Sequence, residues 1–121
     1  MFDVKVYKTI WNKCEEEVED ILNNDTDRLK DLNETTYFYD VTLEFAPFYG
    51  LEIHSAQWRS GSITRILWSI DKKCFYCYTD DEYPQHSTND PTLDFDEIFL
   101  KERCLRNGWK LLEEPCGPDQ I

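Results

Sequence analysis

The chain has 121 residues, of which 25 are acidic and 13 basic, giving a formal net charge of -12 at pH 7. Such a surface repels nucleic acid phosphates and anionic membranes, so we expect neither as a direct partner. Aromatic residues make up 15% of the sequence. This content is typical of a folded chain, and we expect one globular domain over residues 1–121.

The acidic residues are concentrated toward the two ends of the sequence. Residues 1–36 have a net charge of -5 and residues 80–121 a net charge of -7, whereas residues 37–79 are neutral. Acidic surfaces attract cationic proteins and accelerate their encounter. The distribution therefore predicts a basic protein partner, although the same acidity also keeps a small protein soluble.

The first third predicts a strand followed by a helix. Phe2, Val4 and Val6 alternate with polar residues, which indicates a short strand. From Thr9 onward, apolar residues recur every three or four positions as far as Leu22, which predicts an amphipathic helix. The residues 25–27 then favour the cap of a second short helix.

The middle third predicts a meander of strands. Alternation over residues 37–45 is the clearest strand pattern, and residues 51–58, 63–70 and 74–79 follow as further strands. Ser60-Gly61 and Asp71-Lys72-Lys73 are typical of tight connections.

The last third predicts a loop, a helix and an edge strand. Residues 80–91 form the polar loop, and Asp94 with Glu97 matches a capping box at a helix start. Asn107-Gly108 predicts the end of this helix, residues 109–112 an edge strand, and residues 115–121 a flexible tail. The whole pattern predicts an α+β fold: an antiparallel sheet of four or five strands with two main helices packed on one face.

The cysteines do not favour a metal or disulfide site. They are Cys14, Cys74, Cys77, Cys104 and Cys116. Cys74 and Cys77 form a Cys-x-x-Cys, which Cys104, Cys116 and His86 could complete as a zinc site, but residues three apart in a strand point to opposite faces. An odd number of cysteines without an export signal predicts free thiols and a cytoplasmic location, and we expect no metal and no cofactor.

No pattern specifies a reaction. Cys77, His86 and Asp80 supply the residue types of a catalytic triad, but so many acidic residues make such a combination common. The acid pairs Asp80/Asp81, Asp94/Asp96 and Glu16/Glu17 could bind Mg²⁺ or act as general acid and base. Asp25-x-Asp27 and Asp94-x-Asp96 lack the glycine and later glutamate of a calcium loop, and helix capping explains these acids better. We therefore expect no enzymatic activity.

The candidate binding surface is acidic and contains one aromatic anchor. Carboxylates meet Lys and Arg of a partner, and tyrosine supplies contact area. The predicted patch consists of Asp80, Asp81, Glu82, Tyr83, Asp90, Asp94 and Asp96. A second patch on the first helix consists of Glu15, Glu16, Glu19 and Asp20.

Three segments carry a resemblance to a known class of protein. They are Trp58-Arg59-Ser60-Gly61-Ser62-Ile63, Ile66-Leu67-Trp68-Ser69-Ile70-Asp71 and Phe75-Tyr76-Cys77-Tyr78-Thr79-Asp80-Asp81-Glu82-Tyr83-Pro84. Together with the length and acidity of the chain, this hairpin and acidic loop resemble small cytosolic immunity proteins of bacterial polymorphic-toxin and contact-dependent inhibition systems. The resemblance implies a non-catalytic inhibitor that binds and neutralises a cognate basic toxin, often a nuclease.

Two alternatives remain open from the sequence. Phage anti-defence proteins, including anti-CRISPR-like proteins and DNA mimics, share the same size and acidity. A small enzyme of unknown class that uses Asp, Glu or Cys is the other alternative.

Overall fold

The computed structural model describes residues 1–85 and 96–112. Within them the strands are Phe2–Trp11 (β1), Glu34–Leu43 (β2), Glu52–His54 (β3), Arg59–Ser69 (β4), Cys74–Thr79 (β5) and Lys110–Leu111 (β6). The helices are Glu15–Asn24 (α1) and Glu97–Arg106 (α2), and a 3-10 helix over Thr26–Asp31 follows α1.

The strands form one mixed sheet in the order β3-β4-β5-β1-β2-β6. β1 lies near the centre, where it pairs antiparallel with β2 and parallel with β5. The prediction of an antiparallel sheet of four or five strands is therefore wrong. Alternation assigns the two faces of a strand, but it does not say which strands become its neighbours.

The sheet curls into a half-barrel around its aromatic side chains. Trp58 precedes β4 and Tyr39 lies on β2, with β5 and β1 between those strands. In a flat sheet, three strand spacings would separate them by roughly 14 Å. Their ring centroids are only 4.8 Å apart, and Trp58 also contacts Trp109 at 5.1 Å. The concave face is therefore closed by these rings.

The main core lies on this concave face. Val4, Val6 and Ile10 of β1 join it, and Leu100 and Cys104 of α2 pack against them. Val18 and Ile21 of α1 are also fully buried, but they lie outside that cluster. The central strand thus organises the core, and α2 covers part of it.

Several element boundaries differ from the predicted ones. β1 continues to Trp11 because Thr9 and Ile10 pair with β2, so α1 begins only at Glu15. The predicted strand over residues 51–58 shortens to β3, because the Ser55 hydroxyl accepts hydrogen bonds from the backbone N–H groups of Gln57 and Trp58 and turns the chain.

The second helix is capped by a different residue from the predicted one. Asp96 is the N-cap, and its carboxylate accepts a 2.7 Å hydrogen bond from the Phe99 N–H, whereas Asp94 lies outside the described residues. The end of the helix is confirmed: Asn107 is the C-cap, and Gly108 has φ of 91°, which favours glycine. The edge strand after it is confirmed as β6. None of the helices in the described ranges has the length and apolar character needed to span a bilayer.

Candidate acidic binding groove

The acidic loop after β5 is held against the end of the central strand. The Glu82 N–H donates to the Thr9 carbonyl at 2.8 Å, and the Trp11 N–H donates to the Glu82 carbonyl at 3.0 Å. The Asp80 N–H donates to the Ser62 carbonyl at 3.1 Å. These hydrogen bonds fix the first residues of the loop beside β1 and β4. Binding residues are often carried by loops that a rigid scaffold holds in position.

Trp11 organises the side chains of this loop. Its indole N–H donates a 3.0 Å hydrogen bond to Asp81 Oδ2. Its ring is nearly parallel to that of Tyr83, with centroids 6.4 Å apart and an interplanar angle of 4°. The aromatic anchor predicted at Tyr83 is therefore half-buried and oriented by a second aromatic residue.

The electrostatic environment of Tyr83 links the two predicted acidic patches. Burial is the main cause that raises the pKa of its phenol, and the negative charges of Asp81, Glu15 and Glu19 raise this pKa further. Glu15 and Glu19 belong to α1 and Asp81 to the loop. Residues 60 or more positions apart thus come together around one tyrosine.

An open groove of about 720 Å³ lies at this junction. Its lining includes Glu15, Asp80, Asp81, Glu82, Tyr83 and Arg103. We call this feature, together with Glu19 beside Tyr83, the acidic groove. Its size is within the range of ligand and anchor-residue pockets.

The carboxylates of the groove are of two kinds. Glu82 forms ion pairs with Lys8 and with Arg103, both at 3.2 Å. Glu15, Glu19, Asp80 and Asp81 form no ion pair with any of the described residues. Glu82 is thus already neutralised internally, and the other four carboxylates carry the negative charge that faces solvent.

The other residues of the two predicted acidic patches are not among the described residues that form the groove. Asp96 is occupied as the cap of α2, and Asp90 and Asp94 lie outside the described residues. Glu16 and Asp20 are exposed on α1, but neither contributes to the pKa of Tyr83. The two patches therefore join through only part of their members.

Sequence reasoning missed Trp11 and Lys8. Lys8 continues the inward series of Val4 and Val6 on β1 and is only 6% exposed. A lysine at an inward-facing position of a strand needs a buried partner, and this signal was readable once the strand was extended beyond Tyr7.

Two of the four thiols in the described part of the chain, those of Cys77 and Cys104, are buried. Cys14, Cys74, Cys77 and Cys104 are free. Burial raises the pKa values of the Cys77 and Cys104 thiols to about 11, so both remain protonated at neutral pH. In the described part of the chain, no group of three or more His, Cys, Asp or Glu side chains could hold a metal ion. Cys116 and His86 lie outside that part.

Comparisons with protein-family models, with curated proteins and with solved structures give no match to this chain.

Proposed function

We propose that this protein is a non-catalytic inhibitor that binds a basic protein through the acidic groove. The observation that carries the proposal is the convergence on Tyr83 of carboxylates from α1 and the loop that have no ion-pair partner among the described residues. A Lys or Arg side chain of a partner would meet these carboxylates, and its aliphatic part would pack on the ring.

The class of partner follows from charge and from the resemblance to immunity proteins. A net charge of -12 favours a strongly basic partner. Nucleases that bind phosphate backbones carry such basic surfaces, so a toxin nuclease is the partner we propose.

The test uses two charge-reversal variants on the same helix. In E15K/E19K both substitutions lie on the face near Tyr83. E16K/D20K makes the same change in net charge, with the same spacing, at exposed positions that do not contribute to the pKa of Tyr83. The wild type and both variants are used to capture partners from the native cells, and captured proteins are identified by mass spectrometry.

We expect the wild type and E16K/D20K to capture one basic protein and to suppress its nuclease activity. E15K/E19K should bind it about tenfold or more weakly, with the difference shrinking at high salt. Equal binding by all three proteins contradicts the assignment of the groove. Capture of a DNA-binding defence protein that is not a nuclease toxin supports the DNA-mimic alternative instead.

A further inference from the structure

A second cavity lies next to the acidic groove and has the opposite charge. Its volume is about 320 Å³, and its lining includes Lys8, Trp58, Arg59, Glu82, Arg103 and Trp109. We call it the cationic cavity. Glu82 and Arg103 line both cavities, so this ion pair separates them.

The charges of the cationic cavity do not balance. Among the lining residues that the structure describes, Lys8, Arg59 and Arg103 supply three positive charges and Glu82 supplies one negative charge. The carboxylate of Glu82 bridges Lys8 and Arg103. These four described residues thus sum to two positive charges, in a chain whose net charge is -12.

The position of Lys8 is held by contacts that orient its ammonium group. Only 8% of its side chain is exposed. Its Nζ donates to the Arg59 carbonyl at 2.8 Å and lies 5.1 Å from the centre of the Trp109 ring. A buried cation is costly unless its hydrogen bonds are satisfied, and this one is fixed in the wall of the cavity.

Arg59 supplies an uncommitted donor group at the same cavity. Its guanidinium has no hydrogen-bond or ion-pair partner among residues 1–85 and 96–112, although its backbone carbonyl binds Lys8. A guanidinium binds carboxylate and phosphate groups through two parallel hydrogen bonds. It is therefore the residue that an incoming anion would contact first.

The other walls favour a planar group. The rings of Trp58 and Trp109 meet edge to face at 75°, and the amide residues Gln57 and Asn107 also line the cavity. Half-buried Trp58 offers an aromatic surface, and amides supply both donors and acceptors. The volume is near the lower end for ligand pockets, which are roughly 300–1,000 Å³, so a small molecule fits better than a chain segment.

From these features we infer that the cationic cavity binds a small organic anion in which a phosphate or carboxylate is attached to a planar ring. Arg59 and the Lys8–Arg103 wall hold the anionic group, and Trp58 packs on the ring. This inference does not depend on the partner proposed for the acidic groove, although the two cavities share Glu82 and Arg103.

The test is isothermal titration calorimetry with four probes: adenosine monophosphate, benzoate, inorganic phosphate and adenosine. The variant R59Q removes the uncommitted guanidinium. R65Q is its matched control, because Arg65 lies on the same strand but its guanidinium packs over Tyr78, 5.7 Å from the ring centre. Both variants change the net charge equally, and circular dichroism verifies that each is folded.

We expect adenosine monophosphate or benzoate to bind with a Kd of about 1 mM or below, and at least about tenfold more tightly than adenosine. R59Q should lose about tenfold or more of this affinity, and R65Q should not. Three results overturn the inference: no binding of either ring-bearing anion, equal binding of inorganic phosphate and the ring-bearing anions, or equal affinities in R59Q and R65Q.

Discussion

The acidic groove and the cationic cavity share Glu82 and Arg103, but their other charged side chains have opposite signs. In the groove, Asp80, Asp81 and Glu15 have no cationic partner among the described residues. Among the described residues that line the cavity, there are three cations and one carboxylate. The difference shows that a net charge of -12 describes the whole chain and not each of its surfaces.

The shared ion pair is what keeps the two regions distinct. Glu82 has 24% of its side chain exposed and Lys8 only 8%. The loop that carries Glu82 is fixed to β1 by two backbone hydrogen bonds. One carboxylate therefore stabilises the buried cation of the cavity while its backbone positions the acidic groove.

The largest expected effect comes from removing this carboxylate. E82Q leaves Lys8 buried without a negative partner, so we expect the free energy of unfolding to fall by about 3 kcal/mol. Urea denaturation measures the change. The control is E17Q: Glu17 also contacts two cations, Lys13 and Arg28, but all three side chains are at least 25% exposed. Its loss should be below about 1 kcal/mol, and equal losses would contradict a special role for Glu82.

A smaller loss is expected when the aromatic wall of the cationic cavity is removed. Trp58 is half-buried and bridges Tyr39 and Trp109, so W58A should cost about 2 kcal/mol and open the half-barrel. W68A removes a ring that is 50% exposed and contacts Phe75, and should cost about 1 kcal/mol. Urea denaturation compares the two, and a larger loss in W68A would contradict the proposed closure of the sheet.

Raising the pH should weaken the fold through its buried thiols. Cys104 lines the cationic cavity, and burial outweighs the nearby Lys8 and Arg103 charges, so the pKa of its thiol is raised to about 11. An unfolded cysteine loses its proton from about pH 8.5. Between these values the unfolded chain binds fewer protons than the folded one, and the free energy of unfolding falls as pH rises.

The size of this effect is about 1 kcal/mol per pH unit for each such thiol. Urea denaturation at pH 7, 9 and 10 measures the slope. C104A should make the slope smaller, because alanine has no proton to lose and Cys77 keeps its own contribution. An unchanged slope in C104A would show that this thiol does not titrate as its burial implies.

The smallest expected effect is a gain in stability when one carboxylate of the acidic groove is removed. Glu15 and Glu19 are four residues apart on α1, and like charges at this spacing repel. E19Q should therefore raise the free energy of unfolding by about 0.3 kcal/mol at low salt, and the gain should disappear as salt increases. E17Q, which loses ion pairs, should change stability in the opposite direction. A lower free energy of unfolding in E19Q would mean that Glu19 stabilises the fold through a structural partner, which contradicts its assignment to a binding surface.

The comparison of predicted and observed elements separates local from long-range information. β5, the end of α2 at Asn107 and the edge strand after it were predictable, because alternation and a glycine with positive φ are local properties. The parallel pairing of β1 with β5 was not predictable, since it depends on contacts between residues about 70 positions apart.

The candidate site also has a part that local sequence predicted and a part that depends on long-range contacts. The residue types of the acidic groove were readable from the sequence, including Tyr83 and the carboxylates beside it. Their convergence with Glu15 and Glu19 was not, because it depends on the parallel pairing of β1, which precedes α1, with β5, which precedes the loop.

The sequence by itself determined an acidic, aromatic-rich α+β chain with a neutral middle, because composition and periodicity are properties of neighbouring residues. Only the tertiary structure decided that Glu82 pairs with Lys8 and Arg103, while the other carboxylates of the acidic groove have no ion-pair partner among the described residues. The physical reason is that charge acts over distances in space: the same acidic loop is neutralised on one side and left open on the other by strands and a helix distant in sequence.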